Sequence, residues 1–236
     1  MIITVKSRLM GILLTSSILL VACNDSSNST IPLPQEPMKL SYEITVTNLT
    51  HAQPMSPIAV VLHSPGHLWQ VGESATVALE KMAEAGDTSE LFLESTVLAH
   101  SAGAGLLQPG MSETLVVELA PGTEANLSFV SMLVNTNDAF TGLDAHDIGS
   151  LSDGESITFY SSTFDAGTEK NSEMAGTIPG PADGGTGFDA VRDDVNFVAV
   201  HPGVLSSDDG LSDSVLSAQH KFDNPTAKIQ ITRLRQ

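Results

Sequence analysis

The strongest constraint on the fold of this chain is a two-residue alternation that recurs in short bursts. In residues 41–49, SYEITVTNL, the apolar side chains Tyr42, Ile44 and Val46 alternate with Glu43, Thr45 and Thr47. Successive side chains of a strand point to opposite faces, so this pattern specifies a strand with one face buried. Residues 58–63, IAVVLH, form a continuous apolar run suited to an inner strand. Further short strands are predicted over 113–119, 127–134, 157–160, 197–201 and 228–234. Clusters of Pro, Gly, Asp, Asn and Ser separate them and supply turns. The expected fold is all-β, an antiparallel β-sandwich.

One stretch has helical spacing. Ala75, Ala78, Leu79, Met82 and Ala85 recur on one side of a helix over 74–85, with Ser74 as the expected N-cap and Gly86 as the stop. A second short helix is expected to begin at Thr88 or Ser89. The sandwich therefore carries a short helical insertion. No internal repeat is visible.

The N-terminus reads as an address. Lys6 and Arg8 precede an apolar stretch, Leu9–Val21, of signal-peptide length and too short for a permanent span. It ends in Leu20-Val21-Ala22-Cys23, which resembles the bacterial lipobox. That resemblance implies a signal peptide over 1–22 and a lipid on Cys23, the single cysteine of the chain. Residues 23–38 then form a Ser/Asn-rich and Pro-rich tether, and one domain follows over 39–236. Asn24, rather than Asp, after the cysteine is the pattern expected for outer-membrane sorting.

Composition narrows the function. The 236 residues carry 10 Lys and Arg against 28 Asp and Glu, a formal charge of −18. Phosphate backbones need clustered cations, so nucleic acid is excluded as a partner. A single cysteine excludes a disulfide framework and any thiolate-rich metal site. No Gly-x-Ser-x-Gly elbow, phosphate loop or His-Glu-x-x-His occurs. His63 and His67 have a zinc-like spacing, but Pro65 and Gly66 prevent the helix that presents such a pair, and both read as loop residues.

The acids suggest a hard cation. Asp165-Ala166-Gly167-Thr168-Glu169 places two carboxylates four apart around a glycine, directly after strand-like sequence. Asp138 follows the strand over 127–134. Carboxylates gathered at one end of a sandwich repel unless a cation sits among them. Calcium, which takes six to eight oxygens, suits them. Asp144 and Asp147 read as surface charges. The loop over 165–194 is long, acidic and turn-rich, and loops of that length are functional or disordered.

In order along the chain, SYEITVTNLT, MSPIAVVLHS, VGESATVALEKMAEAGD, NDAFTGLDA, FDAGTE and VHPGV…HKFDNPTAKIQITRL resemble the spondin domain, most closely its bacterial branch. The resemblance covers nearly all of 42–235. It implies a C2-like antiparallel sandwich with calcium held by loops at one end. Asp138, Asp165 and Glu169 fall on the family's metal-binding acids. Glu169 stands where the animal domain has Asp, and Ala139 where it has Trp. The implied function is non-catalytic: a lipid-anchored, cell-surface adhesion or envelope and matrix interaction module with an unknown macromolecular partner. The alternatives are a metal-dependent envelope hydrolase using His146 or His201, and a calcium-dependent lipid binder. The acidic balance and the lack of basic or aromatic residues near the loops weigh against the lipid binder.

Overall fold

The computed structural model describes residues 38–235; the leader, Cys23 and the tether as far as residue 37 lie outside the described residues. The strands are β1 (Leu40–Asn48), β2 (Ala59–His63), β3 (Val97–Ala102), β4 (Ser112–Leu119), β5 (Asn126–Met132), β6 (Ala139–Asp147), β7 (Ser156–Ser161), β8 (Thr163–Asp165), β9 (Ala199–Val200) and β10 (Ala227–Arg233). The helix α1 spans Val77–Ala85. One sheet has the order β4-β1-β10-β7 and the other β3-β2-β5-β6-β8-β9. Every pairing is antiparallel. The fold is the expected all-β sandwich with a short helical insertion.

The alternation of β1 becomes the core between the sheets. Tyr42, Ile44 and Val46 pack with Ile229 and Ile231 of β10, and with Val60, Leu62, Leu127 and Phe129 from the facing sheet. The continuous apolar run of β2 has a different cause. Val60 and Leu62 face the sandwich, while Ala59 and Val61 face a second core on the outer side of the same sheet. There Leu79, Met82 and Ala83 of α1 meet Val130, Met132 and Phe140. Two strands buried on both faces are a sheet covered by a helix.

The helix starts two residues later than expected. Thr76, not Ser74, is its N-cap, in extended conformation, with its hydroxyl accepting from the Leu79 N–H. Ser74 instead donates to the Asn196 carbonyl. Gly86 closes the helix in the left-handed region at φ 68°, donating to the Lys81 and Met82 carbonyls. Ala85 faces solvent; Ala83 and the carboxylate residue Glu84 are buried in its place. The second helix is only a single 3-10 turn over Leu91–Leu93.

Two other differences position the site. The segment from Ala139 onward, absent from the expected strands, is β6. Its pairing with β5 slips between Leu127 and Phe129, where Ala145 adopts φ 52° and donates to the Ser128 hydroxyl. This bulge and Gly142 disguise the strand. A Cβ at Gly142 would come within 2.8 Å of the Phe129 carbonyl. The run from Ile157 to Phe164 is two strands in different sheets, with the crossing at Ser162. That crossing delivers Asp165 to the six-stranded sheet, opposite Ala139.

Met82 is wholly buried between α1 and β5. Met82→Ala should lower the unfolding free energy by about 2–5 kcal/mol in denaturant titration.

Candidate metal centre

The β5–β6 hairpin turns at residues 135–138, so the chain around Asp138 is a tight turn followed by strand. Leu133 and Ala139 close it with a backbone hydrogen bond of 2.8 Å, and the Thr136 hydroxyl spans it, donating to the Leu133 carbonyl and accepting from the Ala139 N–H. Asp138 is completely buried. Its Oδ2 accepts from the Thr168 N–H at 2.8 Å, the Thr168 hydroxyl at 3.2 Å and the Glu169 N–H at 3.1 Å. The 165–169 loop is thus wrapped around one oxygen of this carboxylate. The other oxygen, Oδ1, is buried without a partner.

Asp165 sets the shape of that loop. Its Oδ1 accepts from the Gly167 N–H at 2.7 Å, and its Oδ2 from the Asn171 side-chain amide at 2.5 Å. Gly167 is required here twice over. Its φ is 70°, and a Cβ would meet the Phe197 carbonyl at 2.3 Å. Glu169 directs Oε1 to the Asn137 side-chain amide at 3.1 Å, while its Oε2 is buried and unpartnered.

The segments that carry Asp138, Asp165 and Glu169 do meet at this end of the sheet. Asp138 is adjacent to Ala139, the register partner of Asp165, and Glu169 supplies an N–H to Asp138. The side chains diverge further than expected. The charge of Asp165 acts on Asp138, whereas Glu169 stands near Glu84, Asp193 and Asp189. Among the described residues, no three His, Cys, Asp or Glu side chains stand where they could hold a metal ion together.

Electrostatically the pole is an anionic hole. Burial, and then the charge of Asp165, pushes the Asp138 carboxyl up to about 7 against the Thr168 and Glu169 hydrogen bonds. Burial also raises Asp165. Burial pushes Glu169 up to about 7 against the Asn137 hydrogen bond, with the neighbouring acids adding to it. A proton can neutralise such groups, but a proton on Asp138 Oδ1 still finds no acceptor among the described residues. A hard divalent cation at Asp138 would neutralise the charge and give Oδ1 a partner. The donor set, all oxygen, fits calcium.

The histidines play other parts. His201 is buried and held neutral, its imidazole pushed down to about 4 by burial. Its Nδ1 accepts from the Gly203 N–H at 3.0 Å, which leaves Nε2–H to donate to Asn171 Oδ1 at 3.1 Å. Asn171 in turn holds Asp165, so His201 positions the loop. His146 lies near the far end of β6, edge-on to Phe159. His63 and His67 do not form a zinc pair. His63 meets the Ser64 carbonyl and the Ser128 hydroxyl, and His67 meets Asp144 at 2.5 Å. Asp144 is therefore an engaged, largely buried acid rather than a surface charge.

The long loop after Asp165 has no regular strands or helices until β9, yet it is tied down along its length. Asp183 accepts from Gly176 and Ile178, Asn135 from Ala182, and Gly167 from Asn196. Arg192 reaches back to Glu80 at 2.7 Å and to the Ala75 carbonyl at 2.8 Å. No protein-family model and no curated protein matches the chain.

The raised carboxyls fix the sign of a pH dependence. A carboxyl whose folded value exceeds its unfolded one stabilises the fold fully only below the unfolded value. Metal-free protein should therefore lose stability as pH rises from about 3.8, the ordinary Asp value, through about 7. Thermal melts in chelator should show the decline, and calcium should abolish most of it.

Proposed function

We propose that this chain is a non-catalytic, calcium-binding module of the spondin type, tethered to the bacterial cell envelope by a lipid on Cys23 and serving adhesion or envelope and matrix association. The observation that carries the calcium reading is Asp138: wholly buried, one oxygen gripped by three donors, the other unpartnered and beside Asp165. Asp138, Asp165 and Glu169 would hold the ion, with carbonyls and water completing its shell. What calcium supplies is order. It would lock the β5–β6 turn to the start of the long acidic loop, giving that pole a fixed surface for a macromolecular partner.

A non-catalytic role is favoured over a metal-dependent hydrolase by the state of the histidines. Hydrolysis needs a positioned base beside an open coordination site. Both ring nitrogens of His201 are engaged, and His146 is remote from the hairpin turn. The cell-surface and outer-membrane assignment rests on the lipobox resemblance, and the adhesion role on the spondin resemblance.

Calorimetric titration of chelator-treated protein with calcium tests the reading. One ion per chain should bind with measurable heat. At a hundredfold excess over Kd the gain is about 2.7 kcal/mol, or roughly 5–10 °C in Tm for a domain of this size. Asp138→Asn should abolish both signals, because its amide oxygen can still accept from Thr168 and Glu169 while the NH2 replaces the free Oδ1 and cannot ligate. Wild-type protein with neither heat nor a Tm shift would overturn the calcium reading.

A further inference from the structure

At the end of the sandwich away from Asp138, a cavity of about 470 Å³ opens between the two sheets. That is within the size range of small-molecule sites. Two cross-strand pairs border it, one from each sheet: Tyr42 of β1 with Arg233 of β10, and Asn126 of β5 with Asp147 of β6. Leu40, Leu119 and Ile148 form its apolar wall.

The polar groups of this lining are not spent on one another. Tyr42 is 1 % exposed and is the one member of the inter-sheet core that carries a hydroxyl. No hydrogen bond among the described residues engages that hydroxyl, although a buried tyrosine ordinarily finds a partner. Arg233, as its register partner, shares its face of the sheet. Arg233 Nη1 donates to the Leu151 carbonyl at 2.9 Å, and Nε lies 2.8 Å from Asp153 Oδ1 without being aligned to donate to it. Across the cavity, Asp147 Oδ1 accepts from the Gly149 N–H at 2.8 Å, and the Asn126 amide donates to the Gly66 carbonyl at 3.4 Å. Asp147 Oδ2 and the Asn126 amide oxygen are left for a ligand. A cation and an anion thus line one cavity without pairing with each other, because the carboxylate beside Arg233 is that of Asp153.

We propose that this cavity binds a free amino acid with an apolar side chain: its carboxylate meets Arg233 and the Tyr42 hydroxyl, its ammonium meets Asp147 and the Asn126 amide oxygen, and its side chain lies against Leu40, Leu119 and Ile148. A guanidinium is suited to a carboxylate, and an ammonium brings three donors to the acceptors opposite. A ligand with only one of the two charges would leave the opposing residue unanswered: an anion would face Asp147, and a cation would face Arg233. The proposal stands independently of the calcium reading.

Calorimetric titration of the full-length protein with leucine, valine, methionine and phenylalanine should give saturable binding of at least one, with one molecule per chain. For the tightest of them, the analogue lacking the ammonium and the analogue lacking the carboxylate (isocaproate and isoamylamine in the case of leucine) should each bind about tenfold or more weakly. Tyr42→Phe keeps the ring and its packing, and Asp147→Asn changes an exposed position. Each should weaken binding about tenfold or more while leaving the thermal melt in place. Glu43→Gln, on the opposite face of β1, should leave binding unchanged. The analogue comparison uses wild-type protein, so it decides the matter should a variant fail to fold. No saturable binding of any of the four in the millimolar range, a single-charge analogue that binds as tightly as its amino acid, or binding indifferent to either Tyr42→Phe or Asp147→Asn would overturn the proposal.

Discussion

A carboxylate sealed from water at the end of a sheet is the constraint around which this pole of the molecule is arranged. Burying an ionised Asp is costly unless it is hydrogen-bonded and its charge is answered. Here the first condition is met by the 165–169 loop, whose amides converge on Asp138 Oδ2. The second is not met by any residue described. The loop's path follows from this geometry: Asp165 caps Gly167, Gly167 passes against Phe197 where no side chain fits, and Asn171 and His201 hold Asp165 from behind.

The sandwich supplies the rigidity this arrangement needs. β5 is packed on both faces, with Leu127 and Phe129 in the inter-sheet core and Val130 and Met132 against α1, which also covers Phe140 of β6. The chain crossing between β7 and β8 sets Asp165 in register with Ala139. The β5–β6 turn and the end of β8 are fixed supports, and the loop from residue 166 is the adjustable piece. An ion that joined them would convert loop order into binding free energy, and by the same linkage the fold's stability would depend on calcium.

Much of this was legible in the sequence where one physical signal acted alone. The alternation in β1 and β10 is undiluted because each has one core face, and β2 read as an inner strand because both its faces are covered. β6 was hidden because its bulge and the close approach at Gly142 demand Gly, Asp, Ala and His where a strand former is expected. β8 is three residues long, too short for any period. At the site, Asp138, Asp165 and Glu169 were marked by position after strands. The burial of Glu84 was not legible, since an acid on an amphipathic helix reads as solvated face. The asymmetry between Asp138 Oδ2 and Oδ1 belongs to packing, which no spacing encodes.

The most direct measurement is a crystal structure grown with calcium. An ion within 2.3–2.6 Å of Asp138 Oδ1, with Asp165 and Glu169 turned toward it, is the expected result. Crystals soaked to saturation that show only water at Oδ1, with the Glu169 carboxylate still on Asn137, would contradict it.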